Sequence, residues 1–258
     1  MVSLFKKMQV FFKSIKVLKN WHVYPLVYLG LIKNKHVILE TRSNLKMKLR
    51  TNSTDLMAFT SVWLDEEYSK PKFEIETDDV VLDIGAHIGL FTLFASQFCT
   101  NGKIYCFEPI KENFELLQEN IKMNNLENVI IFNVAVSDQT TPIEIFLNED
   151  FSGHSMYVPS LQPIYVESTT IEKIFNDNHI NNFDFVKIDC EGAEYPIIDS
   201  IPDSYYKKIK KMIIEYHFLD SKPELLQNLI KKLEKNTFAT YKEFLHSGMG
   251  FLYALNEK

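Results

Sequence analysis

The stretch from Val80 to Gly89, VVLDIGAHIG, constrains this chain more than any other. Its opening residues are apolar except for Asp83, the pattern of a strand buried on both faces of a parallel sheet. Gly85 and Gly89 then permit a tight turn and close backbone approach, with Ala86 and His87 inside the loop. Leu90, Phe91, Leu93, Phe94 and Phe98 follow at helical spacing. A second strand over 103–108 ends in Cys106-Phe-Glu-Pro109, placing Glu108 25 residues after Asp83. Open α/β sheets build nucleotide-type sites in this order, at the carboxyl ends of their strands. Amides at the start of the helix are expected to face the ligand, and Glu108 to accept from ribose hydroxyls.

The rest of the chain continues the alternation. Helices are expected over 111–123, from about 193, and over 221–235, the last opened by a capping-box pair, Ser221 and Glu224. Strands are expected over 128–136, 183–189 and 210–216, with 241–245 and 251–255 spaced to pair as a terminal hairpin. A polar interval, 137–182, holds two strand-like pieces (143–147 and 164–167) and a short helix near 171–175. The fold class is therefore α/β, a mostly parallel sheet with helices on both faces.

Ahead of this core, 36–50 reads as a hairpin around Ser43-Asn44, and 56–68 as a helix ended by Pro71. The expected division is an extension over 1–76, packed on a catalytic domain over 77–258. Residues 3–19 put Leu4, Phe5, Met8, Phe11, Phe12, Ile15 and Leu18 at the spacing of an amphipathic helix. Seven lysines and no acid precede Glu40; the other 21 of the 28 basic residues face 34 acidic ones, a net charge of about −13. An acidic body disfavours duplex nucleic acid, which calls for a continuous basic surface. The basic helix suits either docking on the body or contact with an anionic membrane surface. Residues 21–32, the longest apolar-dominated run, are too short to span a bilayer, and the start lacks the pattern of a signal peptide. Cys99, Cys106 and Cys190 have neither disulfide nor zinc spacing, which points to a reducing cytoplasm, peripheral at the inner membrane surface if the helix binds there.

A second cluster of chemistry-bearing residues ends later strands. Lys187-Ile-Asp-Cys-Glu-Gly-Ala-Glu194 brings Asp189 and Glu191 to a strand end, and IIEYHF puts Glu215 and His217 on one face of the next strand. Such a cluster can supply a general base, and His217 is the conventional proton acceptor near neutral pH. Asp189, Glu191 and His217 could also ligate a divalent ion, though no tight ligand spacing favours a metal. His154 and Ser155, with Tyr157, lie in the polar interval and are expected on an acceptor-binding rim, joined by Glu194.

These segments resemble a known family. VVLDIGAHIGLFTL, CFEP with the helix ending in Asn120, NVAVSD and FVKIDCEGAE are similar to the FkbM-type, S-adenosylmethionine-dependent methyltransferases, as is LRTNSTDLMAF…EEY before the first strand. The resemblance covers about 37–217. It implies a Rossmann-like class I fold with seven strands, one of them antiparallel, and methyl transfer to a hydroxyl of a small molecule or glycan. Carried over position by position, it gives Asp83, Gly85 and Gly89 the methionine part of the cofactor and Glu108 the ribose. Ala135 to Asp138, including Ser137, would border the adenine, and Asp55 and Tyr68 would close over the cofactor. His87 stands where the family more often has Asn. Two other classes stay open on the residues alone: a nicotinamide-dependent oxidoreductase, and a methyltransferase-like binding module without catalysis.

Overall fold

The structure, a computed structural model, describes residues 4–146, 163–246 and 248–257. The chain begins with helices α1 (Leu4–Val17) and α2 (Val23–Tyr28), the hairpin β1 (His36–Glu40) and β2 (Lys46–Arg50), and helix α3 (Asp55–Phe59), which runs on as a π-helical turn over Thr60–Leu64. The core follows as β3 (Val80–Ile84), α4 (Leu90–Ser96), β4 (Lys103–Phe107), α5 (Lys111–Met123) and β5 (Val129–Phe132). Short pieces come next: β6 (Ala135–Val136), β7 (Ile143–Phe146), β8 (Pro163–Val166), β9 (Ser168–Thr169) and α6 (Ile171–Asp177). The chain ends with β10 (Phe183–Ile188), α7 (Glu194–Ser200), α8 (Asp203–Tyr206), β11 (Ile209–Tyr216), α9 (Pro223–Lys235), β12 (Phe238–His246) and β13 (Met249–Asn256).

Seven strands form the central sheet in the order β12-β13-β11-β10-β3-β4-β5. All neighbours are parallel except at β13, which runs against both β11 and β12. Side-chain alternation explains the unbroken apolar runs. On one face Val81, Ile104, Phe185 and Ile213 pack under the hairpin, α2 to α5 and the π-turn. On the other, Leu82, Tyr105, Val186 and Ile214 pack under α6 to α9. Both faces are covered, so the central strands are mostly apolar on both sides. The N-terminal elements share one core with α4 rather than standing apart.

The hairpin is held where it positions the glycine loop. Asn120 accepts from the Lys48 amide at 2.7 Å and donates to the Lys48 carbonyl at 3.2 Å and the Ile88 carbonyl at 2.8 Å. One side chain thus bonds the β2 edge to the loop. Helix α1 docks through buried Ser14 and through Lys13, which donates to the Leu64 carbonyl, while Met8 and Phe12 stay exposed.

Several boundaries differ from expectation. The 56–68 helix stops at Leu64, well before Pro71. The strand expected over 128–136 breaks at Asn133, whose amide group donates instead to the carbonyls of Glu108 and Pro109. The Ser221–Glu224 capping box does not form: Lys222 caps α9 without a side-chain bond, Pro223 takes the first turn, and Ser221 donates to the Phe218 carbonyl.

Candidate active site

At the carboxyl ends of β3, β4, β10 and β11 lies a crevice of about 380 Å³. Gly85, Ala86 and His87 form one wall, and Glu108 and Asn113 close one end. Ala135, Val136 and Ile143 supply an apolar side, while Asp189, Glu191 and Glu215 line the opposite end beneath Tyr68.

The glycine loop is fixed from both sides. The amides of Gly85 and Ala86 both donate to the Phe107 carbonyl at 3.0 Å, and the His87 amide donates to Glu108 Oε2 at 2.8 Å. Those amides therefore face β4, not a ligand. Lys187 Nζ donates to the Gly85 carbonyl at 2.6 Å from the other side. Glycine is required at 85 because φ is +76° and a Cβ would stand 1.9 Å from the Asp189 carbonyl oxygen. Gly89 is left-handed too, and a Cβ there would meet Leu117 at 2.6 Å, so it serves the turn and the packing of α5.

Asp83 does not reach the crevice. It is fully buried, accepts from Thr92 Oγ1 at 2.8 Å, and pairs with Lys187 Nζ at 3.2 Å. Its effect on a ligand therefore runs through the loop, not through contact. Lys187, to which the sequence reading gave no role, sits at the centre of this arrangement, 3.7 Å from Asp189 as well. Burial alone would lower its ammonium, but the charges of Asp83 and Asp189 outweigh that and hold it protonated. A lysine inside the apolar run FDFVKI was the signal that could have identified it.

Glu108 is nearly buried, yet lines the crevice. It accepts from the amides of His87 and Ile110 and, at 3.4 Å, from Asn113 Nδ2. Burial pushes its carboxyl up to about 7 against those bonds. Asn113 Oδ1 beside it is buried without a hydrogen-bond partner among the described residues, as is Oγ1 of Thr54, which also lines the crevice. Neither residue carried a sequence signal.

His87 ties the loop to the N-terminal elements. Its Nε2 lies 2.9 Å from Arg50 Nη2; a guanidinium only donates, so this nitrogen accepts and the ring is neutral. Burial pushes the imidazole down to about 4, with Arg50 opposing protonation and Asp55 favouring it. Arg50 in turn makes a two-pronged pair with fully buried Asp55, at 3.0 and 2.8 Å. Asp55 thus braces the loop from behind, and it is Tyr68, not Asp55, that borders the crevice.

At the other end, His217 is 6% exposed and held by Glu194, whose Oε1 accepts from the His217 amide at 2.9 Å and faces its Nδ1 at 3.1 Å. Nε2 stands 3.5 Å from Glu191 and 3.9 Å from Glu215. Burial would lower this imidazole, but the Glu194 hydrogen bond and charge, with Glu191 and Asp189, raise it to about 10. At neutral pH His217 is an imidazolium, so it is not the base the sequence suggested. Glu194 is also corrected: fully buried and committed to His217 and the Gly192 amide, it cannot contact an acceptor. Glu215 receives the Tyr68 hydroxyl at 3.3 Å, and burial followed by the Asp189 charge raises its carboxyl well above the ordinary range. Cys190 has its thiol raised by burial and by Asp189, so it packs rather than attacks.

The adenine-side residues also differ from the carry-over. Ser137 is buried and donates to the Gln139 carbonyl, and Asp138 points to solvent; Ala135 and Val136 are the members of that run on the crevice wall. His154, Ser155 and Tyr157 lie outside the described residues.

Comparison with known proteins agrees with this geometry. The Methyltransferase FkbM domain model matches residues 83–241. The chain is similar to AMB antimetabolite synthetase AmbE of Pseudomonas aeruginosa (21% identical over 66% of this chain), of which it spans 10%. It is similar to 31-O-demethyl-FK506 methyltransferase FkbM of Streptomyces tacrolimicus, 21% identical over 63% of this chain and 74% of that protein. Hexuronic acid methyltransferase AglP of Haloferax volcanii is 22% identical over 56% of this chain and 58% of its own length. In fold, the chain matches the crystal structure of Methyltransferase FkbM from Methylobacillus flagellatus with a TM-score of 0.53 at 13% identity, over 96% of this chain and 59% of that one. The Rossmann-like sheet, the crevice at its carboxyl edge and the domain match over most of the chain place this protein in the FkbM methyltransferase family.

Proposed function

We propose that the chain transfers a methyl group from S-adenosylmethionine to a hydroxyl oxygen of a small molecule or saccharide. The observation that carries this reading is the continuity of the crevice, which joins Glu108 and Asn113 at one end to Asp189, Glu191 and Glu215 at the other. The donor set fits the cofactor. The loop amides at 85–87 are committed to Phe107 and Glu108, so they are not offered to phosphates, whereas five carboxylates line the walls. Such a site favours a ligand with cationic groups over a pyrophosphate. Glu108 and the unpartnered Asn113 Oδ1 would hold the nucleoside, against the apolar side of Ala135, Val136 and Ile143. When bound, S-adenosylmethionine supplies an electrophilic methyl group on a sulfonium sulfur.

Acceptor handling falls to the strand ends. Glu191, with 38% of its side chain exposed, is the carboxylate best placed to take the hydroxyl proton. The imidazolium of His217 keeps that corner polar and compensates its negative charge. One relative's name specifies a hexuronic acid and another a demethylated oxygen, which supports hydroxyl acceptors of saccharide or metabolite type. The test is release of S-adenosylhomocysteine across a panel of uronic acids and hydroxylated metabolites. Glu191→Gln should lower kcat about 100-fold on any acceptor found while cofactor binding persists; unchanged turnover would remove Glu191 from this role.

The N-terminal helix supports action close to an anionic membrane surface. Met8 and Phe12 are 51% and 56% exposed on a segment bearing seven lysines and no acid before Glu40. No helix among the described residues is long and apolar enough to cross a membrane.

A further inference from the structure

We infer that Asp189, Glu215 and His217 form a divalent-cation site at the acceptor end of the crevice. One ligand atom from each of the three lies within 4.8 Å of the others. Around a cation with bonds of about 2.1 Å, ligand atoms stand roughly 3 to 4 Å apart, so a small turn of the carboxylates completes the set. The strands supply these residues because β10 and β11 are parallel neighbours that end together, Ile188 beside Ile214. Asp189 follows the one strand; Glu215 is the last residue but one of the other, and His217 follows that strand directly.

Two further observations point to a ligand here. First, His217 Nε2 is buried with no hydrogen-bond partner among the described residues, and it is directed at the carboxylates. Second, Nδ1 of the same ring faces Glu194 Oε1 at 3.1 Å, and Glu194 is fully buried. A carboxylate behind the far nitrogen fixes the tautomer that leaves Nε2 as ligand, the arrangement found behind metal-bound histidines. The charge balance agrees. Asp189, Glu191, Glu194 and Glu215 converge on this corner around the Lys187 ammonium 3.7 Å from Asp189, and a bound cation displaces the Nε2 proton of His217 and takes over its positive charge.

The donor set of two carboxylates and one imidazole suits Mn²⁺, which accepts both oxygen and nitrogen ligands. Asp189 and Glu215 both line the crevice, so the remaining coordination positions open towards the acceptor. A cation there would hold an acceptor oxygen next to Glu191. This role rests on the methyltransferase reading; binding of the cation does not.

The test uses the full chain, stripped of metal with chelator, titrated with Mn²⁺ and followed by loss of the free-ion EPR signal. The expected result is one Mn²⁺ per chain, with affinity at least tenfold weaker in both Asp189→Asn and Glu215→Gln. Asp203→Asn, on the remote α8, should bind as the parent does. Circular dichroism checks that each variant is folded, and a variant that fails to fold is replaced by Asp189→Ser or Glu215→Ala. No stoichiometric Mn²⁺ binding by the folded chain, or binding unaffected by both substitutions, would overturn the site. S-adenosylhomocysteine binding to the metal-free chain is measured in parallel. Its presence without Mn²⁺ binding would reject the cation site and leave the methyltransferase reading standing; its absence alongside Mn²⁺ binding would do the reverse.

Discussion

Lys187 Nζ lies 3.2 Å from Asp83 Oδ1 beneath the glycine loop, with 5% and 0% of their side chains exposed. A buried pair of this kind tethers two adjacent strands, and the same ammonium holds the Gly85 carbonyl. Removing one partner leaves a buried charge. Lys187→Met is therefore expected to cost about 3–5 kcal/mol in urea unfolding. The double variant with Asp83→Asn should recover more than half of that loss, because no charge is then stranded. Equal stability of the single and double variants would show that the pair is not coupled.

Glu108 should make cofactor binding depend on pH. Its carboxyl is pushed up to about 7 by burial, from an ordinary value of 4.5. Ribose hydroxyls donate to the ionised form, so binding releases a proton and affinity rises with pH through about 7. Below that it should fall about tenfold per unit. Calorimetry with S-adenosylhomocysteine from pH 5.5 to 8.5 checks this, and Glu108→Gln should abolish the slope. For folding the sign is opposite: the native state binds the extra proton between about 4.5 and 7, so Glu108 withdraws stability as pH rises through that window.

Gly85 and Gly30 both have left-handed backbones, at φ +76° and +65°, but different surroundings. A Cβ at 85 meets the Asp189 carbonyl oxygen at 1.9 Å, whereas nothing lies within 4 Å at 30. Gly30→Ala should cost only the conformational penalty, about 1 kcal/mol. Gly85→Ala adds a backbone clash and should cost about 2–4 kcal/mol, together with cofactor affinity. Thermal denaturation of both variants separates conformation from contact.

How much of this was legible follows from where each residue's partners lie. The alternation of apolar strands and helices revealed the sheet, because residues such as Val81 and Leu82 face opposite buried layers and must both be apolar. Glu108 was legible from its place at a strand end, and it does line the crevice. Asp83 and Glu194 were not, since an acid at a strand end reads alike whether it faces a ligand or a buried Lys187 or His217. The same limit applied to the Ser221–Glu224 pair, where Pro223 sets the first turn of α9 instead. Arg50, Asp55 and His87 are joined across 37 residues, a contact that no local pattern records.

Met8 and Phe12, exposed on α1, test membrane contact without disturbing the core. The full chain should co-sediment with vesicles containing anionic lipid, and less so in high salt. Met8→Glu with Phe12→Glu should abolish sedimentation while leaving the melting temperature within about 2 °C. Equal sedimentation of parent and variant would remove α1 from this role.

The central claim is that the crevice between Glu108 and Asp189 takes a sulfonium nucleoside. Calorimetric titration of the intact chain with S-adenosylmethionine measures it directly. The account predicts saturable binding at one ligand per chain, weakened at least tenfold by Glu108→Ala, with no heat from NAD. Binding of NAD by the folded protein, with none of S-adenosylmethionine or S-adenosylhomocysteine, would contradict it.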